Sequence, residues 1–140
     1  MNFSKKYLQE CIEICNAINP DEIEDMANLI NSVRSESGRI FFLGVGGGAG
    51  HASHAVNDFR KICNIESYAP TDNVSELTAR VNDDGWDTCY VNWLKGSNIS
   101  SRDLVFVFSV GGGNLEKNIS VNILKSLQLA KKVGSKICGV

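Results

Sequence analysis

The chain has 140 residues, a net charge of −2 and a pI near 5.6, so its length fits one domain and its charge favours neither nucleic acid nor an anionic membrane as a partner. Its apolar fraction of 43% and charged fraction of 21% are ordinary for a globular protein. No stretch approaches the roughly 20 apolar residues of a membrane span, and charges interrupt the N-terminus before any signal-peptide core develops.

Two helices are predicted before any strand, within residues 3–35. Apolar residues recur at helical spacing up to about Asn16, and Asn19-Pro20-Asp21 then breaks the chain and can begin a second helix. Cys11 and Cys15 lie four residues apart, and we expect them to be buried structural thiols on one helix face. The cysteine count of five is odd and includes no Cys-x-x-Cys pair, which favours a reducing, cytoplasmic location over a disulfide framework.

An α/β core is predicted from residue 39 to residue 140. Strands are expected at 39–43, 67–69, 103–109 and from 136, alternating with helices that follow residue 50 and cover about 74–81, 86–94 and 115–133. This alternation predicts a parallel sheet with helices on both faces, in a single domain spanning 1–140. Because the sequence stops on a strand, we expect the domain to lack its C-terminal part.

Two of the predicted strands end in glycine-rich loops, at residues 44–50 and 111–113. Glycine lets a ligand approach the backbone closely, and the free N–H groups of a following helix attract an anion. Ser109 can add a hydroxyl donor, and Asn114 an amide donor or a helix cap. Two such loops at one edge of a sheet would suit a phosphate monoester, although either loop alone could be only a tight connection.

The first loop also approaches the dinucleotide-binding fingerprint, through Gly44, Gly46 and Ala49. That fingerprint needs an acidic residue at the end of the second strand, about 20 residues further on. Glu66 lies at this distance but would begin the weak second strand, and neither loop continues into Gly-Lys-Ser/Thr. We therefore expect no nucleotide cofactor.

Both histidines fall in the helix after the first loop. His51, His54 and Asp58 are spaced to share one helix face, where they could bind a divalent metal or supply an acid and a base. Alternatively, the histidines line a polar groove while Asp58 pairs with Arg60 or Lys61. Groups on a single helix do not close a metal site, so further ligands would have to come from elsewhere.

A polar segment at residues 71–81 is closed by Asn82-Asp83. Such side chains suit the recognition of sugar hydroxyls, and they equally suit an ordinary capped helix in solvent. Trp86 and Trp93 are seven residues apart, which would place them on one helical face. A core or subunit contact is favoured for them over stacking on a sugar.

Three motifs resemble those of the SIS-domain sedoheptulose-7-phosphate isomerases, or phosphoheptose isomerases. Residues 42–54 are similar to the family pattern G-N-G-G-S-A-A-D-A-Q-H, and residues 71–86 to T-D-x-S-x-L-T-A-x-x-N-D-x-G-[FW]. Residues 109–114 lie where the family carries S-T-S-G-N-S. The motifs occur in the family's order and spacing, and the likeness extends over the whole chain.

The resemblance implies a flavodoxin-like, three-layer SIS fold, a cytoplasmic homotetramer and the conversion of sedoheptulose 7-phosphate to D-glycero-D-manno-heptose 7-phosphate. This aldose–ketose isomerisation passes through an enediol and leads to the heptose of lipopolysaccharide or capsule. The resemblance also implies zinc, with His54 and Asp58 at positions of the family's metal ligands and catalytic groups. It assigns substrate binding to Gly46, Gly47, Gly48, Asn82, Asp83, Ser109, Gly111, Gly112 and Asn114.

The chain also departs from the family pattern. Asp58 is one methylene shorter than the family's glutamate, and Val45 and Gly48 replace an asparagine and a serine. The glutamine and histidine that the family carries further along have no counterpart in these 140 residues. Two hypotheses follow: an isomerase that uses Asp58 as base and His54 as metal ligand or acid, or a non-catalytic SIS module that binds a sugar phosphate or a protein partner.

Overall fold

The computed structural model describes residues 2–140, which form six helices and four strands. Two helices come first, and strands then alternate with helices, as the sequence predicted. In chain order the elements are α1 (Phe3–Ala17), α2 (Pro20–Ser35), β1 (Ile40–Gly44), α3 (Gly47–Lys61), β2 (Ser67–Tyr68), α4 (Val74–Asp84), α5 (Cys89–Gly96), β3 (Leu104–Phe108), α6 (Val121–Val133) and β4 (Lys136–Gly139).

The four strands form one sheet in the order β2-β1-β3-β4, and every neighbouring pair is parallel. The two central strands are in full register, from Ile40 opposite Leu104 to Gly44 opposite Phe108. Because β1 and β3 end at the same level, the loops that follow them leave the sheet side by side. The parallel α/β prediction is confirmed, and the two glycine loops share the carboxyl edge of the sheet.

Helices cover both faces of the sheet because the side chains of β1 and β3 alternate between two apolar clusters. Phe41 and Val105 point to the cluster formed with α4, α5 and α6. Phe42 and Phe106 point to the cluster formed with α2 and α3. Both central strands are therefore buried on both sides, in the three-layer arrangement that was predicted.

A buried ion pair fixes the amino ends of the central strands. The Asp103 side chain is 2% exposed, and its carboxylate accepts hydrogen bonds from the guanidinium and backbone N–H of Arg39 and from Ser100. Burial alone would raise the pKa of Asp103, but the hydrogen bonds from Arg39 and Ser100 outweigh it and hold the pKa below its usual value. This pair lies at the edge of the sheet opposite the glycine loops.

The helix predicted over 115–133 begins only at Val121. Residues 114–119 form instead a turn that is closed by reciprocal backbone hydrogen bonds of 2.8 Å between Asn114 and Ile119. Asn118 and Ser120 have φ angles of +52° and +49°, in the left-handed region. A right-handed helix cannot continue through such residues, so the predicted start was wrong.

Two further expectations are corrected. Trp86 precedes α5 and its ring tilts against Tyr90, whereas Trp93 packs edge-on against Phe41, so the two tryptophans do not share a helical face.

Cys11 is only partly buried and Cys15 is exposed. The prediction of buried thiols was wrong for the single chain, because α1 contains no buried residue.

Candidate functional site

A cavity of about 520 Å³ lies at the carboxyl edge of the sheet, between the loops that follow β1 and β3. Both predicted anion-binding loops contribute to it, together with the first turns of α3 and the start of α6. Its lining consists of Val45, Gly47, Gly48, His51, Phe108, Ser109, Val110, Gly111, Ile119, Ser120, Ile123 and Val140. The edge of the sheet is where ligands of open parallel sheets bind.

The first loop brings α3 against both central strands. A Cβ atom on Gly44 would overlap the backbone of Gly48, and a Cβ on Gly48 would lie 2.6 Å from the carbonyl oxygen of Phe108. Gly46 turns the chain with a φ angle of +57° and caps α3 without a side-chain hydrogen bond. A Cβ on Gly47 would meet nothing within 4 Å. Gly44 and Gly48 thus serve packing, while Gly47 leaves open space beside the first amides of α3.

A buried tyrosine anchors this loop from the other face of the sheet. The Tyr90 hydroxyl donates a hydrogen bond of 2.8 Å to the carbonyl oxygen of Gly44, the last residue of β1. Burial raises the pKa of Tyr90 to about 12, so the hydroxyl keeps its proton for this bond at neutral pH. Sequence reasoning missed Tyr90, because nothing in a local pattern signals a contact over 46 residues.

The second loop is shaped by its own side chains. Ser109 Oγ accepts a 3.1 Å hydrogen bond from the N–H of Gly112, so the hydroxyl proton of this cavity residue remains able to donate to a ligand. Asn114 Oδ1 accepts from the N–H of Lys117 at 2.8 Å, so Asn114 closes the turn and does not cap α6. Of the predicted residues in this loop, Ser109 and Gly111 line the cavity, while Gly112 and Asn114 hold the loop around it.

His54 and Asp58 lie side by side on α3, with 3.2 Å between His54 Nε2 and Asp58 Oδ2. Asn57 Nδ2 donates to the other carboxylate oxygen at 3.1 Å. The side chains of His54 and Asp58 are 76% and 42% exposed, and neither residue lines the cavity. The structure therefore brings these two groups together, as their spacing predicted, but outside the pocket of this single chain.

Asn82 and Asp83 lie apart from the cavity, at the end of α4. They are exposed, and the Asn82 amide donates to the Asp83 carboxylate at 2.8 Å. Asn82 borders a separate shallow groove with Trp86 and residues of α4. Within residues 2–140 these two predicted substrate contacts are not joined to the glycine loops.

Comparison with known proteins supports the sequence resemblance. The chain is 29% identical over 119 residues to a phosphoheptose isomerase of Thermodesulfovibrio yellowstonii, a match that covers 81% of this chain and 56% of the relative. It is 28% identical over 123 residues to a phosphoheptose isomerase of Chlorobaculum tepidum, covering 83% of this chain and 56% of that protein. No family model matches the sequence. This chain is similar in sequence to the phosphoheptose isomerases.

Solved phosphoheptose isomerases also have this fold. The enzyme from Francisella tularensis superposes with a TM-score of 0.82 at 22% identity, and GmhA from Neisseria gonorrhoeae with a TM-score of 0.75 at 20% identity. Each match covers 99% of this chain and 74% of the solved chain. The chain spans little more than half the length of the curated phosphoheptose isomerases that it matches.

The zinc site expected from the phosphoheptose isomerase resemblance is not complete within residues 2–140. Zinc sites in proteins use about three or four ligands from His, Cys, Asp and Glu. His54 and Asp58 provide two, and in the part of the chain that the structure describes no cluster of three such side chains could hold a metal. Zinc therefore stays a prediction that requires ligands from beyond these residues.

No helix within residues 2–140 is long and apolar enough to cross a lipid bilayer.

Proposed function

We propose that this chain is the phosphate-binding part of an aldose–ketose isomerase that converts sedoheptulose 7-phosphate to D-glycero-D-manno-heptose 7-phosphate. The observation that carries the proposal is the cavity between two glycine loops, with a histidine–carboxylate pair further along the helix that begins in that cavity. The names of the relatives supply the substrate. The product would be a heptose phosphate for surface polysaccharide.

The distances along α3 suit a long sugar phosphate. Asp58 lies seven residues beyond the cavity residue His51, which at a rise of about 1.5 Å per residue is roughly 10 Å along the helix axis. An extended chain of seven carbons, with bonds of about 1.5 Å, is of the order of 8 Å long. A heptose whose phosphate lies in the cavity could thus place C1 and C2 near Asp58. A triose phosphate would be too short.

In this proposal the Asp58 carboxylate takes a proton from C1 to form the enediol and delivers it to C2, while the hydroxyl proton of O1 passes to O2 and His54 holds the carboxylate in place. The shorter side chain of aspartate would lower the rate, because proton transfer needs close approach of the two atoms. We therefore expect slow turnover by the 140-residue chain. The described residues supply too few ligands for zinc, so the proposed proton transfer rests on Asp58 and His54.

The test is exchange of the C1 protons of sedoheptulose 7-phosphate for deuterium, with deuterium appearing at C2 of the aldose product, followed by NMR in heavy water. Exchange should disappear in Asp58→Ala and should become faster in Asp58→Glu, which restores the carboxylate reach of the family. Ser53→Ala, at an exposed position of the same helix, is the matched control and should retain exchange. Saturable binding without any exchange in the wild type or in Asp58→Glu would contradict the isomerase and leave a sugar-phosphate-binding module.

We further propose that the chain assembles into a homotetramer. The support is α1, which contains no buried residue and carries several exposed apolar side chains. A helix with an apolar stripe is stabilised in water mainly by burial of that stripe, which the single chain does not provide. The exposed apolar side chains of α1 and its C-cap are Phe3, Tyr7, Leu8, Ile12, Ile14 and Ile18.

A cytoplasmic location is also part of the proposal. All five cysteines are free thiols. Burial raises the pKa of the Cys138 thiol to about 11, which keeps it protonated and unreactive. A protein with five free thiols is suited to a reducing compartment.

A further inference from the structure

The cavity has an unusual shortage of charge for a site that binds a phosphate. Its described lining contains no Asp, Glu, Lys or Arg side chain, and His51 is its one residue with an ionisable side chain. Its polar side chains apart from His51 are Ser109 and Ser120, and the remainder of the lining is glycine or apolar. A dianion in such a site would be held by backbone N–H groups and hydroxyls, unless His51 carries a positive charge.

His51 is placed to supply that charge. It lies in the second turn of α3, and its ring centroid is 5.8 Å from that of Phe108, the last residue of β3. His51 is exposed, and its imidazole lies at the boundary between the two glycine loops. No hydrogen bond or ion pair within residues 2–140 occupies its nitrogens, so both N–H groups of an imidazolium would be free to donate to a ligand.

We propose that His51, in its imidazolium form, is the cationic group that binds the anionic end of the ligand, so that this histidine sets both the affinity of the cavity for a dianion and its dependence on pH. The proposal rests on the proposed function, because it concerns the phosphate subsite of the same cavity. Because an imidazolium forms more readily at acidic than at alkaline pH, the proposal predicts tighter anion binding by this cavity under acidic conditions. Hydrogen bonds to an ionised group are stronger than neutral ones, which makes the imidazolium the main source of affinity here.

Within residues 2–140, the neighbouring ionisable groups neither supply a second positive charge to the cavity nor neutralise that of His51. On its own helix, the next ionisable groups are His54 and Asp58, which pair with each other at 3.2 Å. From the elements that face it, the loop after β3 and the start of α6 present only uncharged lining side chains, and so does Val140, which follows β4. Glu116 and Lys117, in the turn before α6, are exposed and do not line the cavity.

Binding of inorganic sulfate to the 140-residue chain tests the proposal. Sulfate keeps its double charge between pH 5.5 and pH 8.0, whereas a phosphate monoester itself titrates near pH 6 and would confuse the result. We expect sulfate to bind the wild type about tenfold more tightly at pH 5.5 than at pH 8.0, the factor that a charge-assisted hydrogen bond supplies. In His51→Gln, binding should be weak and equal at the two pH values.

Two controls distinguish a failure of the proposed role of His51 from a failure of the proposed phosphate site. The chain contains only two histidines, so the ring signals of both can be followed by NMR, and at pH 5.5 sulfate should move those of His51 and leave those of His54 in place. Ser109→Ala should weaken sulfate binding at both pH values and keep the ratio between them. Equal binding by wild type and His51→Gln at both pH values would overturn the role of His51 but keep the anion site. No binding to the wild type at either pH would overturn the proposed phosphate site as well.

Discussion

At the scale of single residues, the ends of the central strands are fixed by two buried polar contacts of different kinds. At the carboxyl end, the Tyr90 hydroxyl binds the carbonyl of Gly44 and so holds the first glycine loop. At the amino end, Asp103 binds Arg39 and Ser100. The first contact shapes the candidate site and the second stabilises the fold far from it, so they should respond differently to substitution.

Tyr90→Phe should destabilise the chain by about 1–2 kcal/mol, because it removes a buried donor and leaves the Gly44 carbonyl without its partner. The free energy of unfolding in urea measures this loss. Tyr68→Phe is the matched control, since it removes an exposed hydroxyl that donates to Glu66, and it should change stability by less than about 0.5 kcal/mol. Equal effects of the two substitutions would show that the Gly44 contact is not formed in solution.

The same tyrosine predicts a change at alkaline pH. Its pKa is raised by burial to about 12 in the folded chain, against about 10 when unfolded. The stability that this shift supplies is fully present below pH 10 and is lost as the pH rises through 12. Unfolding free energies measured between these pH values should therefore fall more steeply for the wild type than for Tyr90→Phe. Parallel curves would contradict a buried, protonated Tyr90.

The acidic counterpart is Asp103. Its pKa is held below the unfolded value of about 3.9 by Arg39 and Ser100, so its contribution is present above that pH and is lost as the pH falls through the folded pKa. At pH 7, Asp103→Asn should cost about 3 kcal/mol, because Arg39 loses its buried partner. The difference between wild type and variant should shrink on acidification. Asp25→Asn, at an exposed position of α2, should match the wild type throughout, and a pH-independent deficit in Asp103→Asn would refute the charge argument.

At the scale of elements, the strand–loop–helix unit β1–α3 depends on which glycines are crowded. Gly48 and Gly50 lie two residues apart in α3, but a Cβ on Gly48 would meet the Phe108 carbonyl oxygen at 2.6 Å, whereas one on Gly50 would meet nothing within 4 Å. Gly50→Ala should stabilise the chain by about 0.5–1 kcal/mol, because alanine favours the helix. Gly48→Ala should destabilise it by about 1–3 kcal/mol through overpacking. Thermal unfolding measures both, and a stabilising Gly48→Ala would mean that α3 sits further from β3.

The sequence predicted most elements because their signals are local. The apolar runs of β1 and β3 and the helical spacing in α1, α2 and α3 depend on neighbouring residues, and so does the placement of His54 and Asp58 on one helix face. The start of α6 was predicted too early because Ile119 continues the apolar spacing of the helix. The left-handed φ angles of Asn118 and Ser120, which keep the helix from beginning earlier, cannot be read from apolar spacing. The cavity role of His51 depends on contact with Phe108, which only the fold provides.

At the scale of the whole molecule, the candidate site is divided among surfaces that the single chain does not join. The cavity, the His54–Asp58 pair and the Asn82–Asp83 pair are separate in residues 2–140, and the last two are exposed. These residues were predicted to form one site because their motifs follow the order of the family. A motif carries no information on which copy of the chain, or which further segment, completes a site. Assembly of several copies could join these surfaces, so the oligomeric state is the next property of the whole molecule to measure.

The exposed stripe of α1 makes that test specific. Tyr7 and Ile14 are 57% and 63% exposed and lie on one face of the helix, two turns apart. If second copies cover this face, Tyr7→Glu combined with Ile14→Glu places two charges in the interface, and light scattering coupled to size exclusion should show monomers in place of tetramers. The control, Gln9→Glu with Asn16→Glu, adds the same charges to the opposite face and should leave the tetramer intact. Circular dichroism checks that both variants keep their helices, and a wild type that is monomeric, or a stripe variant that stays tetrameric, would exclude α1 as the contact.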